Sequence, residues 1–219
     1  MATRVFLEVG GKRAFAGALD WPGWCRAGRD EEAALAALAA YAPRYAAVPE
    51  RAGIAFPARA ADRLEVVERL PGTASTDFGV PGEVAAADAE RSTRAQAERL
   101  TALVEASWEL FDRVRAGAPA SLRKGPRGGG RDRDKMVDHV LGAEAGYART
   151  LGVKHPPPAI DDPAAIAALR DGIAAVLRAP SDGSPPAPKG WPPRYAARRI
   201  AWHVLDHAWE MEDRSDPGG

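Results

Sequence analysis

Histidine and cysteine are scarce in this 219-residue chain, four of the first and one of the second. A single cysteine, Cys25, excludes an internal disulfide and fits a reducing compartment. Net charge is missing as well, because thirty Lys and Arg balance thirty Asp and Glu. Such a chain has no global attraction for nucleic acid or anionic membrane, so neither is expected as a partner. Long apolar runs are also lacking. The longest, AALAALAAYA from Ala33 to Ala42, falls far short of the roughly 20 residues of a spanning helix. MATRVFLEVGGKRAF has neither the apolar core nor the cleavage site of a secretory signal, and a cytoplasmic protein is expected. What is present, 46% hydrophobic and 27% charged residues, is the composition of a globular chain.

Two textures divide the sequence, and together they predict an α+β protein. RVFLEV (Arg4 to Val9) and RAFAGAL (Arg13 to Leu19) flank the turn residues Gly10-Gly11-Lys12 and read as a hairpin. Pro22-Gly23 breaks the second strand, and WCRAGR pairs briefly after it. Asp30 is a candidate N-cap, with Glu31 and Glu32 in the first turn where the helix dipole favours acids. A helix is expected from Glu31 to Tyr45, then a strand at RLEVVERL, Arg63 to Leu70. Residues 1–70 thus form a small β-β-β-α-β module, and 71–86 a linker.

Four amphipathic helices are expected over 87–214, with 215–219 a disordered tail. The first spans about Ala87 to Ala116 and carries Leu100, Leu103, Val104, Trp108, Phe111 and Val114 on one stripe. The second, Asp132 to Leu151, carries Met136, Val140, Ala143 and Tyr147. A third starts at Asp162-Pro163, a cap followed by proline at the first helical position. The fourth runs from Pro193 to Asp213 with Ala196, Ile200, His203, Val204, His207 and Met211 on its stripe. Gly/Pro-rich connections separate them, as in a four-helix bundle.

The histidines fall on these stripes. His203 and His207 are four residues apart and share one helix face. His139 lies between Met136 and Val140. A lone core histidine is ordinarily satisfied by a hydrogen bond. Burying an imidazole with an unmet polar group costs roughly 1–3 kcal/mol, and three in one core call for a joint partner. A divalent metal is such a partner, because neutral imidazole is its commonest protein ligand. Three ligands leave a tetrahedral ion one open position, which suits catalysis or reversible binding. Glu210 shares the face and can orient a histidine, act as a base or ligate the ion. The fourth histidine, His155 in LGVKHPPPA, is expected at the surface.

Other signals are weaker. SLRKGPRGGGRDRDK (Ser121 to Lys135) is a basic, glycine-rich stretch before a helix N-terminus. Arg127 and Arg131 are its candidates for holding an anion, such as a phosphate or a thiol's carboxylate; otherwise the stretch is a solvated connector. It lacks the ordered GxxxxGK[ST] of a nucleotide loop. Cys25 reads as a small core residue. Trp21 and Trp24 flank a turn and pack in the core by default. TDFGVPG (Thr76 to Gly82) reads as a connector able to reach the bundle's mouth.

DKMVDHVLGAEAGYARTLG and RRIAWHVLDHAWEMEDR, with one histidine on the second helix and HxxxH on the fourth, resemble the DinB superfamily over residues 88–214. The resemblance implies a divalent metal, zinc or nickel, held by His139, His203 and His207. It also implies a homodimer, a small-molecule substrate and, as in several members, a low-molecular-weight thiol used in transferase or isomerase reactions. LDWPGWCRAGRDEEAALAALAAY is similar to the strand, turn and acid-led helix of HicB antitoxins, though no DNA-binding element follows it. The expected function is a metal-dependent enzyme, a thiol-dependent S-transferase or an isomerase or hydrolase, acting on a small electrophile. The alternative is a non-catalytic, metal-stabilised binding or regulatory protein that uses the HicB-like module for protein contacts.

Overall fold

The computed structural model describes residues 2–124 and 130–215 and is α+β. β1 (Thr3–Val9) and β2 (Ala14–Ala18) form the expected hairpin, with Val5 opposite Ala18 and Val9 opposite Ala14. β3 (Cys25–Gly28) pairs antiparallel with β2. β4 (Leu64–Pro71) returns parallel to β1, so the sheet order is β3-β2-β1-β4. A parallel return needs a crossover, and the helical segment after β3 supplies it.

That segment is one helix in the sequence reading and three in the structure: α1 (Glu31–Ala40), α2 (Ala42–Tyr45) and α3 (Ala47–Arg51). The Asp30 side chain caps α1 through Ala33 N at 2.8 Å, as expected. Pro43, with no amide hydrogen to give, sits in the first turn of α2 and accounts for the break. Gly28 lets α1 approach β3, since a Cβ there would lie 2.1 Å from Ala34 N. Trp24 stacks on Tyr45 with ring centroids 5.7 Å apart, and its indole N–H donates to Leu38 O at 2.8 Å.

The connector is more structured than its composition suggests. α4 (Ala74–Phe78) lies against the hairpin rather than the bundle's mouth, and Asp77 Oδ1 accepts from Lys12 N at 2.7 Å. The buried Glu8 carboxylate accepts from Thr76 Oγ1 at 2.5 Å, Gly82 N at 3.1 Å and Glu83 N at 3.0 Å. Ala86–Ala89 is a 3-10 turn, not the start of a long helix, and its Asp88 forms a buried pair with Arg198. Here a tertiary ion pair overrides the helix propensity of an alanine-rich stretch.

Four long helices follow: α5 (Arg94–Gly117), α6 (Arg133–Thr150), α7 (Pro163–Leu177) and α8 (Pro193–Ser215). α5 opens seven residues later than expected, on a capping box in which Thr93 Oγ1 accepts from Gln96 N and the Gln96 side chain accepts from Thr93 N. α7 opens at Asp162-Pro163 as expected, with Asp162 Oδ1 accepting from Ala165 N at 2.9 Å. α8 runs through Ser215; the rest of the expected tail, 216–219, lies outside the described residues.

α8 is buried on two sides. Its side bearing Ile200 and Val204 meets the other long helices, while Ala201, Trp202, Leu205 and Trp209 are also buried. The Pro22-Gly23 turn presses on it, and a Cβ on Gly23 would lie 2.4 Å from Leu205 Cδ1. Phe15 of β2 meets Trp202 edge-on at 6.1 Å. Arg26 pairs with Asp206 at 3.2 Å, and Arg44 with Glu212 and Asp213 at 2.9 and 2.8 Å. One apolar cluster therefore runs from Val5, Leu7 and Trp24 through Leu103 and Phe111 to Val204 and Leu205. Among the described residues no helix is long and apolar enough to cross a membrane.

Candidate metal centre

α6 and α8 bring three of the four histidines together. One nitrogen from each of His139, His203 and His207 lies within 4.8 Å of the others. Their ring centroids form a nearly equilateral triangle with edges of 4.7, 5.0 and 5.1 Å. The HxxxH spacing stacks two rings one helical turn apart on α8, and α6 presents the third from across the seam.

Their depth differs from the expectation of three core histidines. His203 is buried at 6% exposure, whereas His139 and His207 are only partly buried. The cause is the rotation of α6. Its buried face is Val137, Val140, Leu141, Glu144, Ala145 and Ala148, which turns His139, Ala143 and Tyr147 to the rim. The triangle thus has a floor at His203 and a side open to ligands.

The proton arrangement suits metal binding. His207 Nδ1 lies 3.0 Å from Glu210 Oε2. A carboxylate only accepts, so Nδ1 carries a proton, and Nε2 is the nitrogen left to face an ion. Arg214 Nη1 donates to the other Glu210 oxygen at 2.8 Å. The hydrogen bond from His207, reinforced by Arg214, holds the Glu210 carboxyl below its usual range. Burial pushes His203 well below the ordinary imidazole value, and burial lowers His139 too. Both are therefore neutral at pH 7, as metal ligands must be.

Nε2 of His203 and Nε2 of His139 are 3.2 Å apart. Two nitrogens on one tetrahedral zinc, each at about 2.0–2.1 Å, stand about 3.3 Å apart. His203 Nδ1 is buried with no partner among the described residues, so no protein acceptor fixes the tautomer of this ring. Three imidazoles whose facing nitrogens lie within 4.8 Å of one another could hold a divalent ion. They would hold it through one nitrogen each.

Glu210 is not among the three residues that converge, and both its oxygens are engaged, by His207 and Arg214, which places it behind His207. Replacing Glu210 by Gln should weaken metal binding by about 10- to 100-fold, the usual effect of losing a carboxylate behind a ligating histidine. Competition with a chromogenic chelator measures this, and unchanged affinity would remove Glu210 from the centre.

Of the other candidates, Arg131 is exposed, and its charge is among those lowering His139 and His203, after burial and His207. Arg127 lies outside the described residues. His155 is partly buried, is not part of the triad, and places Nδ1 2.7 Å from Pro156 O. Cys25 is buried in β3, and loss of solvent pushes its thiol up to about 12, so it is an inert core residue. The sequence reading placed Tyr147 on the stripe of the second helix but missed Arg199 as a neighbour of the centre. Tyr147 meets His203 edge-on at 5.7 Å, and the Arg199 guanidinium lies 5.4 Å from the Tyr147 ring. Arg199 stands one turn before His203, a spacing that would have revealed it.

The chain matches no protein-family model, no curated protein and no solved structure.

Proposed function

We propose that this protein is a metal-dependent enzyme of the DinB-like kind, acting on a small electrophile with a thiol or water as the attacking group. The carrying observation is the convergence of the His139, His203 and His207 nitrogens on one point at the open seam of α6 and α8. A divalent ion bound there would lower the pKa of a coordinated thiol or water and so supply a nucleophile at neutral pH. His207 is held in the ligating tautomer by Glu210, and His203 is kept neutral by burial. With Glu210 committed to His207 and Arg214, three protein ligands leave a position for the attacking group. Three strands, a helical crossover of three short helices and a fourth strand in the first 71 residues, with four packed helices after them, support the HicB-like and DinB-like readings of the two halves. The proposal includes zinc or nickel as the ion, a homodimeric assembly and a cytoplasmic location.

Protein purified without a metal-affinity tag should contain, or take up on titration, about one zinc or nickel ion per chain. Elemental analysis after gel filtration tests this. A chain that retains none and binds none is not a metal enzyme of this kind.

A further inference from the structure

Arg199 is the unusual arginine of α8. Arg194 reaches Asp20 Oδ1 at 3.3 Å, and Arg198 is paired with the buried Asp88. Arg199 instead lies between two aromatic rings, 4.7 Å from Trp202 and 5.4 Å from Tyr147. Its Nη1 is buried and has no hydrogen-bond partner among the described residues. Leaving a buried charged donor unmatched is costly, and a partner that supplies oxygen acceptors removes that cost. Stacking fixes the plane of the guanidinium and so presents its fork of donors in advance.

The surroundings decide the charge of that partner. Three neutral imidazoles leave the two positive charges of a divalent ion uncancelled. Arg199 and Arg131 both act electrostatically on His203, and the nearby carboxylate Glu210 is already committed to His207 and Arg214. The centre can also be reached, since His139 and His207 are only partly buried. Arg199 stands one turn before His203, about 6 Å along the axis. That separation suits a short molecule with a donor atom at the metal and an oxyanion at the other end.

We propose that the three-histidine centre takes an anionic ligand and that Arg199 pairs with its carboxylate or equivalent oxyanion. This rests on the metal-centre reading and narrows it. Neutral thiols and neutral electrophiles are the poorer ligands. Arg199 is thus added to Arg131 as a candidate for holding an anion.

The test uses the full chain loaded with cobalt(II), whose visible spectrum reports changes in coordination. Three probes are titrated: 3-mercaptopropionate, its uncharged counterpart 3-mercaptopropanol, and propionate, which lacks the thiol. Wild type should bind 3-mercaptopropionate at least tenfold more tightly than 3-mercaptopropanol. Arg199→Gln should abolish that preference while retaining cobalt and its melting temperature. Arg199→Lys, which keeps the charge and loses the planar fork, should retain part of it. Equal binding of the two thiols by wild type overturns the proposal, as does a preference unchanged in Arg199→Gln. A preference lost in Arg131→Gln but not in Arg199→Gln also overturns the assignment. Propionate binding that depends on Arg199 supports the site and assigns the oxyanion to a substrate rather than to the thiol. A wild-type chain that takes up no cobalt fails the metal reading and this inference together. A loaded chain indifferent to carboxylate fails this inference alone.

Discussion

Replacing His203 by Ala should lower metal affinity on the order of a hundredfold or more and leave the far-ultraviolet circular dichroism unchanged. His203 is the floor of the triangle and the most buried of the three histidines. Its removal leaves His139 and His207, and two ligands hold a divalent ion far less tightly than three. The fold should survive because the surrounding core does not need the ring. Ile200, Val204, Met211, Met136 and Val140 are fully buried around this seam. Truncating one side chain among them costs about 2–5 kcal/mol. Chelator-treated wild type should likewise keep its helical signal and melt cooperatively at a somewhat lower temperature. If both samples are unfolded at room temperature, the ion is a structural staple and the open-site reading fails.

The second large effect lies deeper. Arg170 of α7 donates through Nε to the buried Glu144 at 3.2 Å and through Nη1 to Asp112 at 2.7 Å. Glu144 has no exposed surface. Burial raises its carboxyl above the usual range, and the nearby Arg170 charge opposes the rise. Arg170→Met leaves that carboxylate buried without a cation, which should cost about 3–5 kcal/mol at pH 7. The sign of the pH dependence follows from the raised value. A carboxyl whose folded pKa lies above its unfolded pKa favours the fold when protonated, and this contribution is lost as pH rises through the folded value. Without Arg170 the folded value rises further. The gap between variant and wild type should therefore shrink as pH falls from neutral toward the carboxylate range. Urea denaturation of both proteins at several pH values measures it. Adding Glu144→Gln to the variant should recover much of the loss. A gap that is constant with pH would mean that packing around Met, not the stranded charge, sets the cost.

Much of the architecture was legible because local signals and tertiary context agree. The β1–β2 hairpin, the Asp30 cap, the Asp162-Pro163 start and the four long helices each satisfy local chemistry and bury the apolar side they advertise. The histidine triad was legible for the same reason, since HxxxH specifies a helix face by arithmetic alone. What was missed involves partners distant in sequence. Ala86–Ala89 has helix-forming residues, but Arg198 claims Asp88. The fourth helix was read with one stripe, although Trp202, Leu205 and Trp209 mark a second that the sheet and its crossover helices cover. Glu144 and Arg170 stood on apolar stripes in full view. Two opposite charges on inward faces of different helices are the signature of a buried pair, and only their mutual reach was unreadable.

The two-sided burial of α8 bears on how the centre would gain and lose an ion. Local opening draws on the elements with the fewest buried contacts. α8 has the other long helices on one side and the sheet module on the other, with Arg26, Arg44 and the Pro22-Gly23 turn holding it along its length. α6 has a face at the rim, where Gly142 and Gly146 give its neighbours nothing to grip. The amides of α8 are therefore the last to exchange with solvent, and those of α6 exchange sooner. Were an ion held there, His203 and His207 would form the fixed jaw of a pair of tongs, and His139, on the less enclosed helix, would be the latch.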